Sequence, residues 1–168
     1  MSKIPESIND HVDKHISTLC PFSLGKNDGE NHCAHFVGHV LQYKDAKHTC
    51  KNSTWNDLKN IEGEGSVIRV DDIFNKSKKT GKWADKPASM RECLIFVTVA
   101  ANVTKRGNKL HMGAMSSKHI GIVKDGTVWH YGNTSDKVKC EQVSVFMTTF
   151  KSVYGRKGTV NVYFGEFL

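Results

Sequence analysis

The stretch HIGIVKDGTVWHYG, residues 119–132, decides the fold. Two runs rich in β-branched and aromatic residues flank Asp125-Gly126. That dipeptide suits a two-residue hairpin turn, whose central positions need φ above zero. The stretch therefore predicts an antiparallel hairpin. With Asp125 and Gly126 at the turn, Lys124 faces Thr127, and counting outward brings Gly121 opposite His130. Residues opposite one another share a sheet face, as do positions two apart on one strand. His119, Gly121 and His130 then look to the same side, with the two histidines as diagonal neighbours. Gly121 leaves room between them. If the hairpin holds a bulge, Asn133 rather than His130 reaches His119.

On either side of the hairpin the apolar pattern continues. ECLIFVTVA (92–100) is a continuous β-branched run, the mark of a strand buried on both faces. TVNVYFGEF (159–167) alternates Val160, Val162 and Phe164 as a strand does. Residues 102–118 read as a long loop, and Val143, Phe146, Met147 and Phe150 mark a short amphipathic helix. Toward the N-terminus, Ile8, Val12, Ile16 and Leu19 recur at helical spacing and predict a first helix over 5–18, with Pro5 in its first turn. Residues 20–31 read as a loop, 32–43 as a second helix, 45–66 as polar and irregular, and 67–74 as a short strand or helical turn. Helices followed by an antiparallel sheet give an α+β fold, and 168 residues fit one domain spanning 1–168.

Lysine and arginine outnumber the acidic residues 24 to 17, a net charge of +7 that favours polyanionic partners. Two concentrations of that charge, KSKKTGK (76–82) and TKRGNK (104–109), read as loops. The chain shows no zinc-finger spacing, aromatic RNA-binding signature or helix-turn-helix, so nucleic acid is not an expected partner. No run reaches the apolar length of a membrane span. MSKIPESINDHVDKHIST lacks the apolar segment of a secretory signal, so synthesis in the cytoplasm without a cleavable signal is expected. The five cysteines form no C-x-x-C pair and are too scattered for a disulfide scaffold. Cys20 and Cys50 flank the segment containing Cys33 and can pair in an oxidising compartment.

NHCAHFVGHV, residues 31–40, places one cysteine and three histidines within the second helix and its entrance. On a wheel of about 100° per residue, Cys33, Phe36, Val37, Val40 and Leu41 share an apolar face. His35 and His39 lie i, i+4 on the opposite face, expected to be wet. Such a pair can bind zinc, but Cys33 points elsewhere and no third ligand stands at motif spacing. Surface histidines, with no metal and no cofactor, are the expectation. Cys33 is the residue of interest. It opens a helix, where unpaired N–H groups and the helix dipole favour a thiolate. A small buried core residue is the plainer alternative.

A cysteine nucleophile needs a base and a group that orients the base. A helix-start cysteine in NHCAHFV, then a buried strand, then HIGIV-x-D-G-x-V-W-H, resembles the NlpC-like cell-wall peptidases of the papain-like superfamily. The likeness covers residues 31 to 133. It implies a papain-like fold, with the nucleophile at a helix N-terminus packed on an antiparallel sheet. It also implies Cys33 as nucleophile, His119 as base and His130 as third member. The related CHAP amidases often use asparagine or an acidic residue in that third role, which keeps Asn133 in reserve.

What the resemblance implies further is hydrolysis of amide bonds in peptidoglycan stem peptides or cross-links. The oxyanion would be met by the backbone N–H of Cys33 and one further donor. The layout is also similar to the amidase effectors that bacteria inject into rivals by type VI secretion. That likeness implies an antibacterial toxin acting in the periplasm of a target bacterium, with a cognate immunity protein as partner. Three other readings use the same features: a papain-like acyltransferase or transpeptidase, a protein-directed cysteine protease toxin, and a basic module that binds wall polymer or another polyanion without catalysis.

Overall fold

Asp125 and Gly126 take φ values of 50° and 82°, as a two-residue turn with a left-handed start requires. They join β5 (Lys118–Lys124) to β6 (Thr127–Gly132), so the hairpin read from the sequence is present. The structure, a computed structural model, describes residues 2–168. It is α+β, with short helices and an antiparallel sheet. The chain forms two units interleaved in sequence, Met1–Arg69 with Trp129–Cys140, and Val70–Val128 with Glu141–Leu168.

The second unit is organised by β2 (Glu92–Val99), whose residues from Cys93 to Val99 are all buried. It pairs antiparallel with β5, from Glu92 opposite Lys124 to Thr98 opposite Lys118. On its other side it pairs with β8 (Val160–Gly165), and β1 (Thr80–Lys82) lies beyond β8. Both faces of β2 are covered, which is why its sequence does not alternate. Cys93, Ile95 and Val97 pack with Phe146 of α4 (Val143–Gly155). Phe96 meets Phe74 of α3 (Val70–Lys76) edge to face at 5.0 Å.

Residues 102–118, expected to be a loop, contain a hairpin of β3 (Val103–Arg106) and β4 (Lys109–Met112) turning at Gly107-Asn108. One segment expected to be a basic loop therefore forms most of this hairpin. Asn75 fixes it from α3: its amide donates to the Met112 carbonyl and its carbonyl accepts from the Met112 N–H, each at 2.9 Å. Lys109 Nζ also donates to the Asn75 backbone carbonyl at 2.8 Å. The two basic segments are thereby neighbours in space.

In the first unit the helix expected over 5–18 is two 3-10 segments, Glu6–His11 and Ile16–Thr18. Between them Asp13 is left-handed at φ 63°, and the chain pairs with β7 (Lys137–Gln142) instead of coiling. The Asp13 N–H donates to the Val138 carbonyl at 2.9 Å, and the Val138 N–H to the Lys14 carbonyl at 3.0 Å. Ile8 and Ile16 are buried nonetheless. Trp129 of β6 donates its indole N–H to Asn9 at 2.9 Å, anchoring the first segment.

Helix α1 (Cys33–Val40) is shorter than the sequence predicts. A Schellman ending stops it, with Gln42 left-handed at φ 56°. There Tyr43 N–H donates to the Gly38 carbonyl at 2.8 Å and Gln42 N–H to the His39 carbonyl at 3.3 Å. A further helix, α2 (Trp55–Asn60), lies in the segment read as irregular. Its signal was present, since Thr54 at the N-cap accepts from the Asp57 N–H three residues on. Among the described residues no helix is long and apolar enough to cross a membrane.

Gly38 marks how tightly α1 is enclosed, because a Cβ there would lie 2.5 Å from the Val67 carbonyl oxygen and 3.1 Å from its nitrogen. Alanine in a helix interior normally gains about 1 kcal/mol over glycine. Gly38→Ala is expected to lose about 1–3 kcal/mol instead, the range of overpacking. Gly155→Ala in α4, where a Cβ meets nothing within 4 Å, is expected to be neutral or stabilising. Urea denaturation of both variants checks the contrast.

Candidate functional site

Cys33 is the first residue of α1 and is buried. Two asparagines serve the helix entrance. Asn31 Oδ1 accepts from the Cys33 backbone N–H at 3.0 Å, and Asn133 Oδ1 accepts from the His32 N–H at 3.0 Å. Both fill the role of an N-cap, which the His32 side chain does not. The backbone donor expected to meet an oxyanion is thus bonded to Asn31. Asn133, held in reserve as a third triad member, secures the start of α1. His130 lies on β6 and is buried in the same unit.

His119 belongs to the second unit, on β5 opposite Val97. Its buried imidazole stacks on Phe150 of α4, with ring centroids 4.0 Å apart and planes 18° apart, and lies 5.7 Å from Phe146. Stacking fixes the ring plane and occupies only its faces.

His35 and His39 are not on a wet face. His35 is fully buried and His39 half-buried. The wheel assumed one apolar face against a core and one face toward water, but α1 is buried on nearly all sides. The segments bearing Cys20 and Cys50 cover the histidine face. The Nε2 atoms of His35 and His39 are 3.1 Å apart, and the Cys50 Sγ is 3.7 Å from the His39 Nε2. Ligand atoms of Cys20, His35, His39 and Cys50 all lie within 4.8 Å of one another, a set able to hold a metal ion. Both cysteines are free thiols. A hydrogen bond from the Cys20 thiol draws the Cys50 thiol below its ordinary pKa, and the Ser66 N–H, 3.1 Å from the Cys50 Sγ, acts in the same direction.

Sequence reasoning missed three contributors: Asn31, Asp57 and the Cys20–Cys50 pairing with the histidines. Asp57 is a buried carboxylate in α2. Both of its oxygens accept from the Ser23 N–H at 3.1 Å, one accepts from the Ser23 hydroxyl at 2.9 Å, and the Thr54 hydroxyl donates to the other. It thereby ties the segment after Cys20 to the segment after Cys50. The Thr54-to-Asp57 spacing was its one signal in the sequence. No family model, curated protein or solved structure matches the chain.

Burial opposes ionisation of Asp57, yet the hydrogen bonds from Thr54 and Ser23 together hold its carboxyl below the usual range. A depressed folded pKa contributes stability above the unfolded value of about 3.9. That contribution is lost as pH falls through the folded value. Asp57→Asn is therefore expected to lose about 2 kcal/mol at neutral pH, with the gap to wild type narrowing in acid. Urea titrations at several pH values measure both.

Proposed function

We propose that the protein is a papain-like cysteine hydrolase of the NlpC type that cleaves amide bonds in peptidoglycan stem peptides or cross-links. The observation that carries this reading is a cysteine at the first residue of an α-helix whose entrance is held by two asparagine caps. Helix N-terminal N–H groups and the helix dipole favour a thiolate there. A strand histidine held in plane by an aromatic ring, and a second histidine on the next strand, supply the other two roles.

In the proposed reaction His119 takes the Cys33 proton, and the sulfur attacks the amide carbonyl carbon. The C–N bond breaks as His119 returns the proton to the departing amine, leaving a thioester. His119 then removes a proton from water, whose oxygen displaces the sulfur to release the carboxylic acid and restore the thiol. We assign the orienting role to His130, because the Asn133 carbonyl serves the helix entrance. An oxyanion would replace Asn31 at the Cys33 N–H. The reading extends to an exported antibacterial effector with an immunity partner. An anionic wall polymer would suit the basic segments 76–82 and 104–109, which fall on β1 and the β3–β4 hairpin.

The test is mass spectrometry of purified peptidoglycan digested by the wild type and by Cys33→Ala. Loss of about a thousandfold or more in rate is expected from removing the nucleophile, and undiminished digestion by the variant sinks the assignment. Thiol mapping gives a second measurement. In a Cys140→Ser background, which removes the exposed thiol, Cys33 is expected to alkylate at pH 6–7 faster than a cysteine of the unfolded chain. Cys93, whose thiol burial pushes up to about 11, should stay silent.

A further inference from the structure

We propose that Cys20, His35, His39 and Cys50 bind one zinc ion as a closed, structural centre. Two imidazoles and two thiols are the donor set of structural zinc sites. The spacing fits. Zinc–nitrogen bonds of about 2.0–2.1 Å and zinc–sulfur bonds of about 2.3 Å at tetrahedral angles put two nitrogens about 3.3 Å apart and a nitrogen and sulfur about 3.6 Å apart. The corresponding separations are 3.1 Å between the histidine Nε2 atoms and 3.7 Å from the His39 Nε2 to the Cys50 Sγ. His35 and His39 stand i, i+4 on α1, so one helix face presents both rings.

The surrounding hydrogen bonds set one of these donors for a metal. The Asn27 carbonyl, 2.9 Å from the His32 Nε2, can only accept, so the His32 proton sits on Nε2. His32 Nδ1 then accepts from His35 Nδ1 at 3.1 Å. A neutral His35 whose Nδ1 carries the proton directs a bare Nε2 lone pair at the cluster. This is the outer-shell arrangement that fixes the tautomer of a ligating histidine. The Ser66 N–H aimed at the Cys50 Sγ similarly supports a thiolate. Two thiolates cancel the charge of the ion, so the centre is neutral and suited to a buried place. Four protein ligands leave no open position, which makes the role structural rather than catalytic.

The experiment uses the full chain, expressed with zinc and purified under reducing conditions without chelator. Elemental analysis should find about one zinc per chain. Cobalt(II) exchanged into the site should show thiolate-to-metal charge transfer and the intense visible bands of tetrahedral coordination. In wild type, Cys20 and Cys50 should resist alkylation until a strong chelator is added. Stripping should lower the melting temperature by about 10 °C. Cys33→Ala should retain the metal in full, so this outcome and the hydrolase reading stand or fall separately. His35→Gln and Cys50→Ser should each lose metal. Failure of the reduced wild type to take up zinc or cobalt overturns the proposal. So does metal uptake undiminished in a Cys20→Ser, Cys50→Ser double variant.

Discussion

The loops around Cys20 and Cys50 depend on the burial of a helix that carries histidines on the side away from its apolar face. Buried imidazoles must find partners. Here they find one another and the loops around them, in a chain running from the Asn27 carbonyl through His32 and His35 to His39 and Cys50. Each link fixes a piece of backbone with little regular structure of its own. The loop after Cys20 is held at Asn27, the segment at Cys50 through its sulfur, and residue 66 through its N–H on that sulfur. A hydrophobic contact could be shifted by a fraction of an ångström without breaking. These directional bonds allow less play, so they also determine where the start of α1, and with it Cys33, comes to rest.

The parts of the fold legible in the sequence are those where one periodicity had one cause. β2 reads as buried on both faces because α3 and α4 cover it. The β5–β6 turn reads correctly because few dipeptides besides Asp-Gly accept two left-handed residues in succession. Residues 5–18 misled for the opposite reason. Ile8 and Ile16 are buried, as a helical pattern requires, yet the pattern arises from two short turns either side of a strand-like contact with Val138. Spacing alone does not separate one helix from two turns with the same burial. The β3–β4 hairpin is hidden because its strands are short and half of their residues are exposed, and a clamp by Asn75 from elsewhere in the chain fixes its Met112 end.

The candidate site divides along the same line. Cys33 is legible from its local chemistry, a thiol at a helix start. Asn31 is not legible although it stands two residues away, because an asparagine before a helix is so common that nothing sets it apart. A helical wheel places His35 and His39 toward water because it carries only hydrophobicity. Cys20 and Cys50 stand far from them in sequence, at no spacing shared with short metal motifs. The convergence of the four is a tertiary fact, produced by α1 from one side and by the Asp57–Ser23 clamp from the other.

That clamp and that convergence meet the same physical need. The apolar cluster around Cys20, Phe22 and Cys50 is small, and two of its three fully buried members are thiols. Small cores seldom supply enough stabilisation alone, and short loop-rich units add a cross-link of some kind. A disulfide between Cys20 and Cys50 would close one loop and leave the imidazoles of His35 and His39 facing a bond that offers them neither a donor nor a charge. A metal ion on all four side chains closes the same loop, joins it to the helix, and gives each lone pair a partner. The histidines are what distinguish the two cross-links: a disulfide has no use for them, whereas a metal centre requires them where they stand.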